Sequence, residues 1–152
     1  MLTTAPRTRA QLAAEMARRG VGADVAAGVL ERLGAVGLVD DQAYAASWAD
    51  SRLRQRGAGR RMLEGELRRR GVGSGEVTAA LAGISAEQER QAARRLVERR
   101  LPTMRDLDPV VRERRLFALL ARRGHEAEVA RAVIRDVTAA HEPDVPGSCD
   151  PC

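Results

Sequence analysis

The chain has 152 residues, 44% hydrophobic, 31% charged and only 2% aromatic, dominated by Ala, Leu, Arg and Glu rather than the β-branched and aromatic residues that line a sandwich or barrel. All 26 basic residues are Arg, set against 21 acids for a net charge of +5, which permits nucleic acid or an acidic protein groove as partner without choosing between them. No apolar run approaches the roughly 20 residues of a bilayer-spanning helix, Met1 to Arg9 lacks a signal-peptide core, and Cys149 and Cys152 in the last four residues supply no disulfide framework. A cytoplasmic protein with no membrane partner is expected.

Three segments align with one another: residues 12–33, 63–84 and 116–137. Each carries an apolar pair four apart (Leu12/Met16, Leu63/Leu67, Leu116/Leu120), then Arg-Arg-Gly ending at Gly20, Gly71 or Gly124. An apolar pair follows: Val25/Val29, Val77/Leu81 or Val129/Val133. Residues four apart share a helix face. The glycine suits the left-handed closure of a helix, and the two arginines before it suit the negative end of the dipole. Each unit is therefore a helix, a tight glycine turn and a second helix, a pair too small to bury a core alone.

In chain order, residues 1–39 form the first unit, with a second helix near Asp24. By the template of the later units it lacks its first helix, and an upstream in-frame extension is expected to restore an amphipathic one. Residues 40–84 form the second unit. Asp40-Asp41 supply an N-cap for a helix running to about residue 55, with Tyr44 and Trp48 on its inward face. The loop at Gly57–Gly59 leads to the Leu63/Leu67 helix, and the last helix starts near Ser74. Residues 85–140 form the third unit. Ser85 and Gln88 make a capping box for a helix that ends before Pro102, and Asp108-Pro109 is a cap followed by proline at the first helical position. Residues 141–152, with two of three prolines beside Asp and no apolar period, are expected to be a disordered tail. The expected fold is all-α, an elongated tandem array of three-helix repeats whose first repeat lacks its first helix.

The stretch from Leu30 carries a specific pattern: Leu33, Leu38, Asp40, Asp41, Tyr44, Ala45, Trp48 and Arg52, then the basic Gly57–Gly59 loop, Glu66-Leu67 and Gly71-Val72. In this the chain resembles the RecX family over about residues 8–140. It departs from the family pattern in its short start and in His125, which stands where a small apolar residue follows the glycine. The resemblance implies a modulator of the RecA recombinase that acts in DNA repair and the SOS response. Family members bind the helical groove of the RecA filament on single-stranded DNA and generally limit filament growth, ATP hydrolysis, strand exchange and repressor cleavage. It also implies a non-enzymatic protein whose partners are the RecA filament and, mainly through it, single-stranded DNA. A monomer is expected.

Eight arginines fall between residues 52 and 70, against Glu64 and Glu66. Arg61 and Arg68 lie opposite the Leu63/Leu67 pair, and Arg54, Arg56 and Arg60 flank the glycine loop. With Arg69, these are the candidate contacts to phosphates or carboxylates, although the same face would also serve merely to keep the protein soluble. Arg94 and Arg95 extend the set more weakly, because Glu87, Glu89 and Glu98 offset the run from Arg90 to Arg100. Arg52, four after Trp48, is expected in a partly buried pair with Asp41, Glu64 or Glu66. Tyr44 and Trp48 read as core rather than base-stacking platforms, since a sequence-tolerant strand binder offers several exposed aromatics.

No catalytic residue, metal site or cofactor is expected. His125 and His141 stand alone, there is no Walker-type glycine motif, and the C-x-x-C at Cys149/Cys152 has no second pair to close a zinc site. Two rivals remain: a free-standing basic helical DNA-binding protein, and a generic helical scaffold for protein partners. Against the first, the helix after Gly71 lacks polar or basic residues to read base edges.

Overall fold

The computed structural model describes residues 5–142, and its regular structure there is helical. The order is α1 (Arg9–Arg18), α2 (Ala23–Ala35), α3 (Asp41–Arg56), α4 (Arg60–Arg69), α5 (Ser74–Ala82), α6 (Ala86–Arg100), α7 (Pro109–Arg122) and α8 (Ala127–His141), with a 3-10 turn at Leu101–Met104 after α6. Of the tail expected over residues 141–152, His141 instead ends α8, and residues 143–152, with Cys149 and Cys152, lie outside the described residues.

Helix boundaries follow side-chain chemistry. The Asp40 carboxylate accepts from the Ala43 amide at 3.0 Å, Ser85 and Gln88 complete a capping box, and the Asp108 carboxylate accepts from Val110 ahead of Pro109 at the first turn. A capping box not singled out in the sequence joins Thr8 and Gln11 at the start of α1. Gly20, Gly71 and Gly124 have φ of 81°, 78° and 82°, the left-handed closure that their repeat position demands.

Helices α4 and α5 pack under α3, and α7 and α8 under α6. Leu63, Leu67, Leu116 and Leu120 are fully buried, so both leucine pairs sit at the centres of their units. One cluster joins Tyr44, Ala45, Leu67, Val72, Val77 and Ala80. A second joins Ala49, Leu53, Ala58, Leu63 and Ile84 to Ala92 of α6, and so runs from one repeat into the next. The third fills the last unit around Val97, Leu116, Leu120, Ile134 and Val137.

The register of α2, the second helix of the first unit, differs from the expected one, whereas Val77 and Val133 of the later units are buried as expected. Val25 is 62% exposed, whereas Ala26, Val77 and Ala130, each six residues after the glycine, are buried. The equivalence of Val25 and Val77 is off by one residue; the small Ala26, next to a larger valine, takes the inward position.

The first unit contains only α1 and α2 among the described residues. No residue of α1 is buried, and Val36 and Leu38 are 70% and 75% exposed. Where α3 and α6 cover the later pairs, α1 and α2 leave between them an open groove of about 480 Å³ lined by Ala13, Ala17, Val21, Ala27 and Leu30.

Candidate functional site

The repeats meet at two equivalent joints. The Thr8 hydroxyl, just before α1, donates to the carbonyl of Arg70 at 2.6 Å. Gly59, just before α4, donates its amide to the carbonyl of Arg123 at 2.7 Å, and Arg61 donates its amide to the Gly124 carbonyl at 3.1 Å. Thr8 precedes Gly59 by the same spacing that separates Gly20 from Gly71. In both joints, therefore, the start of one unit's helix satisfies the last carbonyls of the next unit's glycine-closed helix, which have no partner inside their own helix. Asp41 strengthens the first joint by accepting from the Arg9 amide at 2.8 Å.

Arg60 is not an available surface cation, as the sequence had suggested. Its guanidinium donates to Glu89 at 2.7 Å and to the carbonyls of Leu81 and Ile84 at 2.7 and 2.6 Å. It thereby supplies the cation at the end of α5, whose own last turn has none, and ties that helix to α6. Its place at the start of α4, pointing across the joint, turned an expected contact residue into a clamp.

The other candidates are exposed and divide into two groups. Arg54 pairs with Asp50 at 3.0 Å, Arg68 with Glu64 at 2.6 Å and Arg94 with Glu98 at 2.7 Å, each within one helix. Arg56, Arg61, Arg69 and Arg95 have no acidic partner among the described residues. The second group holds the charge that an incoming phosphate or carboxylate can meet at no internal cost. The first must release a weak pair, worth about 0.2–1 kcal/mol when exposed.

Arg52 is paired with Glu66, one of the three acids foreseen. Both Glu66 oxygens accept from its guanidinium, and the second also accepts from the Trp48 indole at 3.0 Å. The Arg52 bond, aided by Trp48, holds the Glu66 carboxyl below its ordinary range against the opposing effect of burial. Trp48 is half-buried and stacks in parallel on Tyr44, with centroids 6.2 Å apart. Arg70 lies over the indole, its guanidinium carbon 3.6 Å from the ring centroid, and donates to the Tyr44 hydroxyl at 3.0 Å. Sequence reasoning left Arg70 out of the site; the signal was the Arg-Arg-Gly triplet, read only as a helix ending.

His125, buried at the second joint, bonds through Nε2 to the Gly57 carbonyl at 2.9 Å. A carbonyl only accepts, so Nε2 carries the proton. Nδ1 and the second oxygen of Glu89 are 3.9 Å apart, both buried and without a hydrogen-bond partner. Among the described residues, no three His, Cys, Asp or Glu side chains are grouped to hold a metal ion, and no helix is long and apolar enough to cross a membrane.

Comparison with known proteins accords with this architecture. Residues 40–81 match the second three-helix domain of RecX and residues 87–134 the third. The regulatory protein RecX of Thermobifida fusca is 47% identical over 145 residues, covering 95% of this chain and 78% of that protein. That of Mycolicibacterium vanbaalenii is 44% identical over 140 residues, covering 88% and 76%. The crystal structure of RecX from Lactobacillus salivarius superposes with a TM-score of 0.85 at 15% identity, over 91% of this chain and 90% of that one, a likeness of fold. With tandem helical units at the matched positions and relatives this similar over most of its length, the chain belongs to the RecX family of regulatory proteins.

Proposed function

We propose that this protein is a non-enzymatic cytoplasmic regulator. It docks on the RecA–single-stranded DNA filament and limits filament growth, ATP hydrolysis and strand exchange. The observation that carries the reading is the pair of equivalent joints, which string successive units in one arrangement and present Arg56, Arg61 and Arg69 from neighbouring elements. A repetitive partner such as a filament suits a repetitive surface, because equivalent positions on successive units meet equivalent positions on successive protomers. Arg95, on α6, extends the same charge into the third unit. The units are 1–39, 40–84 and 85–140, each contributing its glycine-closed helix to the array.

Charge alone makes the protein attractive to any polyanion. The decisive experiment is therefore RecA's DNA-dependent ATP hydrolysis with and without this protein. Slowed hydrolysis is expected, and no change at stoichiometric excess removes the reading. Tight binding to naked duplex DNA with marked sequence preference and without RecA would instead favour a free-standing DNA-binding protein.

A further inference from the structure

We propose that the pocket where α1, α3 and the end of α4 meet is a receptor for a carboxylate side chain on an acidic segment of the protein partner. It rests on the filament-docking reading and names the group that one part of the surface grips. The pocket has a volume of about 440 Å³ and is lined by Gln11, Trp48, Arg52, Glu66, Arg69 and Arg70.

Three guanidiniums face one carboxylate there, and that carboxylate is already engaged. Glu66 receives Arg52 on both oxygens and the Trp48 indole on one; Arg69 also acts on it electrostatically, but a single carboxylate leaves the three guanidiniums with net positive charge. Arg69 is exposed, with no acidic partner among the described residues. Arg70 spends one N–H on the Tyr44 hydroxyl and is held flat by the indole beneath it. Its remaining donors are thus fixed in place before a ligand arrives, which lowers the ordering cost of binding. A carboxylate matches the planar donor fork of a guanidinium.

The same geometry disfavours nucleic acid as occupant. A stacked base needs an open aromatic face, but Arg70 covers one face of Trp48 and Tyr44 is stacked beside it.

Trp48 is the single tryptophan of the chain, so its fluorescence reports on this pocket alone. The full chain is titrated with a short oligoglutamate peptide and, separately, with oligothymidylate. Saturable change in emission with the peptide is expected. Gln11→Glu keeps a side-chain oxygen for the Thr8 amide but places a negative charge at the rim; it should weaken peptide binding about tenfold or more. Arg69→Ala should do the same, while Arg114→Ala on α7, with the same loss of charge, should leave binding unchanged. The proposal is overturned if the peptide gives no saturable change, if Gln11→Glu and Arg69→Ala leave its binding intact, or if oligothymidylate gives the response that depends on those two residues. Equal inhibition of RecA hydrolysis by the parent chain and by Gln11→Glu also overturns it. Peptide binding that depends on Gln11 and Arg69 supports the pocket even where neither chain moves RecA hydrolysis, a result that fails the function reading alone.

Discussion

Thr8 donates its hydroxyl to the carbonyl of Arg70 across 62 residues of sequence, and Gly59 repeats the bond with its amide to Arg123. One position in the repeat performs one task by two chemistries. At the first joint a side chain reaches the carbonyl; at the second the backbones themselves approach.

A Cβ on Gly59 would lie 2.5 Å from the backbone of Gly124 and His125, atoms that have no room to give. Gly59→Ala should therefore force the second joint apart and cost about 1–3 kcal/mol, seen as a lower urea midpoint. A methyl group at Gly28 in α2 would meet nothing within 4 Å, and Gly28→Ala should raise stability by about 0.5–1 kcal/mol through helix propensity. An unchanged midpoint for Gly59→Ala would mean that the joint does not form in solution.

The buried His125 imposes a pH dependence. Burial pushes the imidazole below its ordinary value, and the Gly57 carbonyl and Glu89 only partly oppose this. A base with a depressed folded pKa takes up its proton more readily when unfolded. Its contribution to stability is thus present above the unfolded value of about 6.5 and lost as pH falls toward and through the folded one. The urea midpoint should drop as pH falls below about 6.5. His125→Gln, which keeps a donor for Gly57, should flatten that part of the curve.

Much of the fold was legible because its signals are local. Asp40, Ser85 with Gln88, Asp108 with Pro109, and the three glycines act within a few residues, so sequence spacing suffices to read them. The register of α2 is hidden because Val25 outweighs Ala26 in any apolar pattern, although space decides which one is buried. Arg60 escapes because its partners Leu81, Ile84 and Glu89 lie 21, 24 and 29 residues away. Arg52 points inward by its spacing from Trp48, but only the packing of α3 on α4 selects Glu66 over Glu64.

Glu66 is the acid whose removal should expose that packing. Glu66→Ala leaves both the Arg52 guanidinium and the Trp48 indole without their acceptor, and should cost about 1–3 kcal/mol. Because the folded Glu66 pKa is lowered, its contribution is present above the unfolded value of about 4.3 and lost as pH falls below it. Trp48→Phe should cost less, since it removes only one donor. A double-mutant cycle on Arg52 and Glu66 that returned no coupling would refute the pairing.

The split among the exposed arginines gives the sharpest expectation for filament binding. Among the described residues Arg61 and Arg69 form no salt bridge, whereas Arg68 gives up Glu64 and Arg94 gives up Glu98 when they turn to a partner. Arg61→Ala and Arg69→Ala should each weaken binding to the RecA–DNA filament by about three- to tenfold, Arg68→Ala and Arg94→Ala by less. Arg60→Ala should act differently again, lowering the unfolding midpoint because it strips the clamp from Glu89 and the end of α5. Binding measured between about 50 and 200 mM salt separates the two kinds of contact: a phosphate-directed arginine lowers the salt slope by about one when removed, and a carboxylate-directed one does so less. Equal losses for Arg61, Arg68, Arg69 and Arg94 would show that net charge, and not which cations are already spoken for, governs attachment.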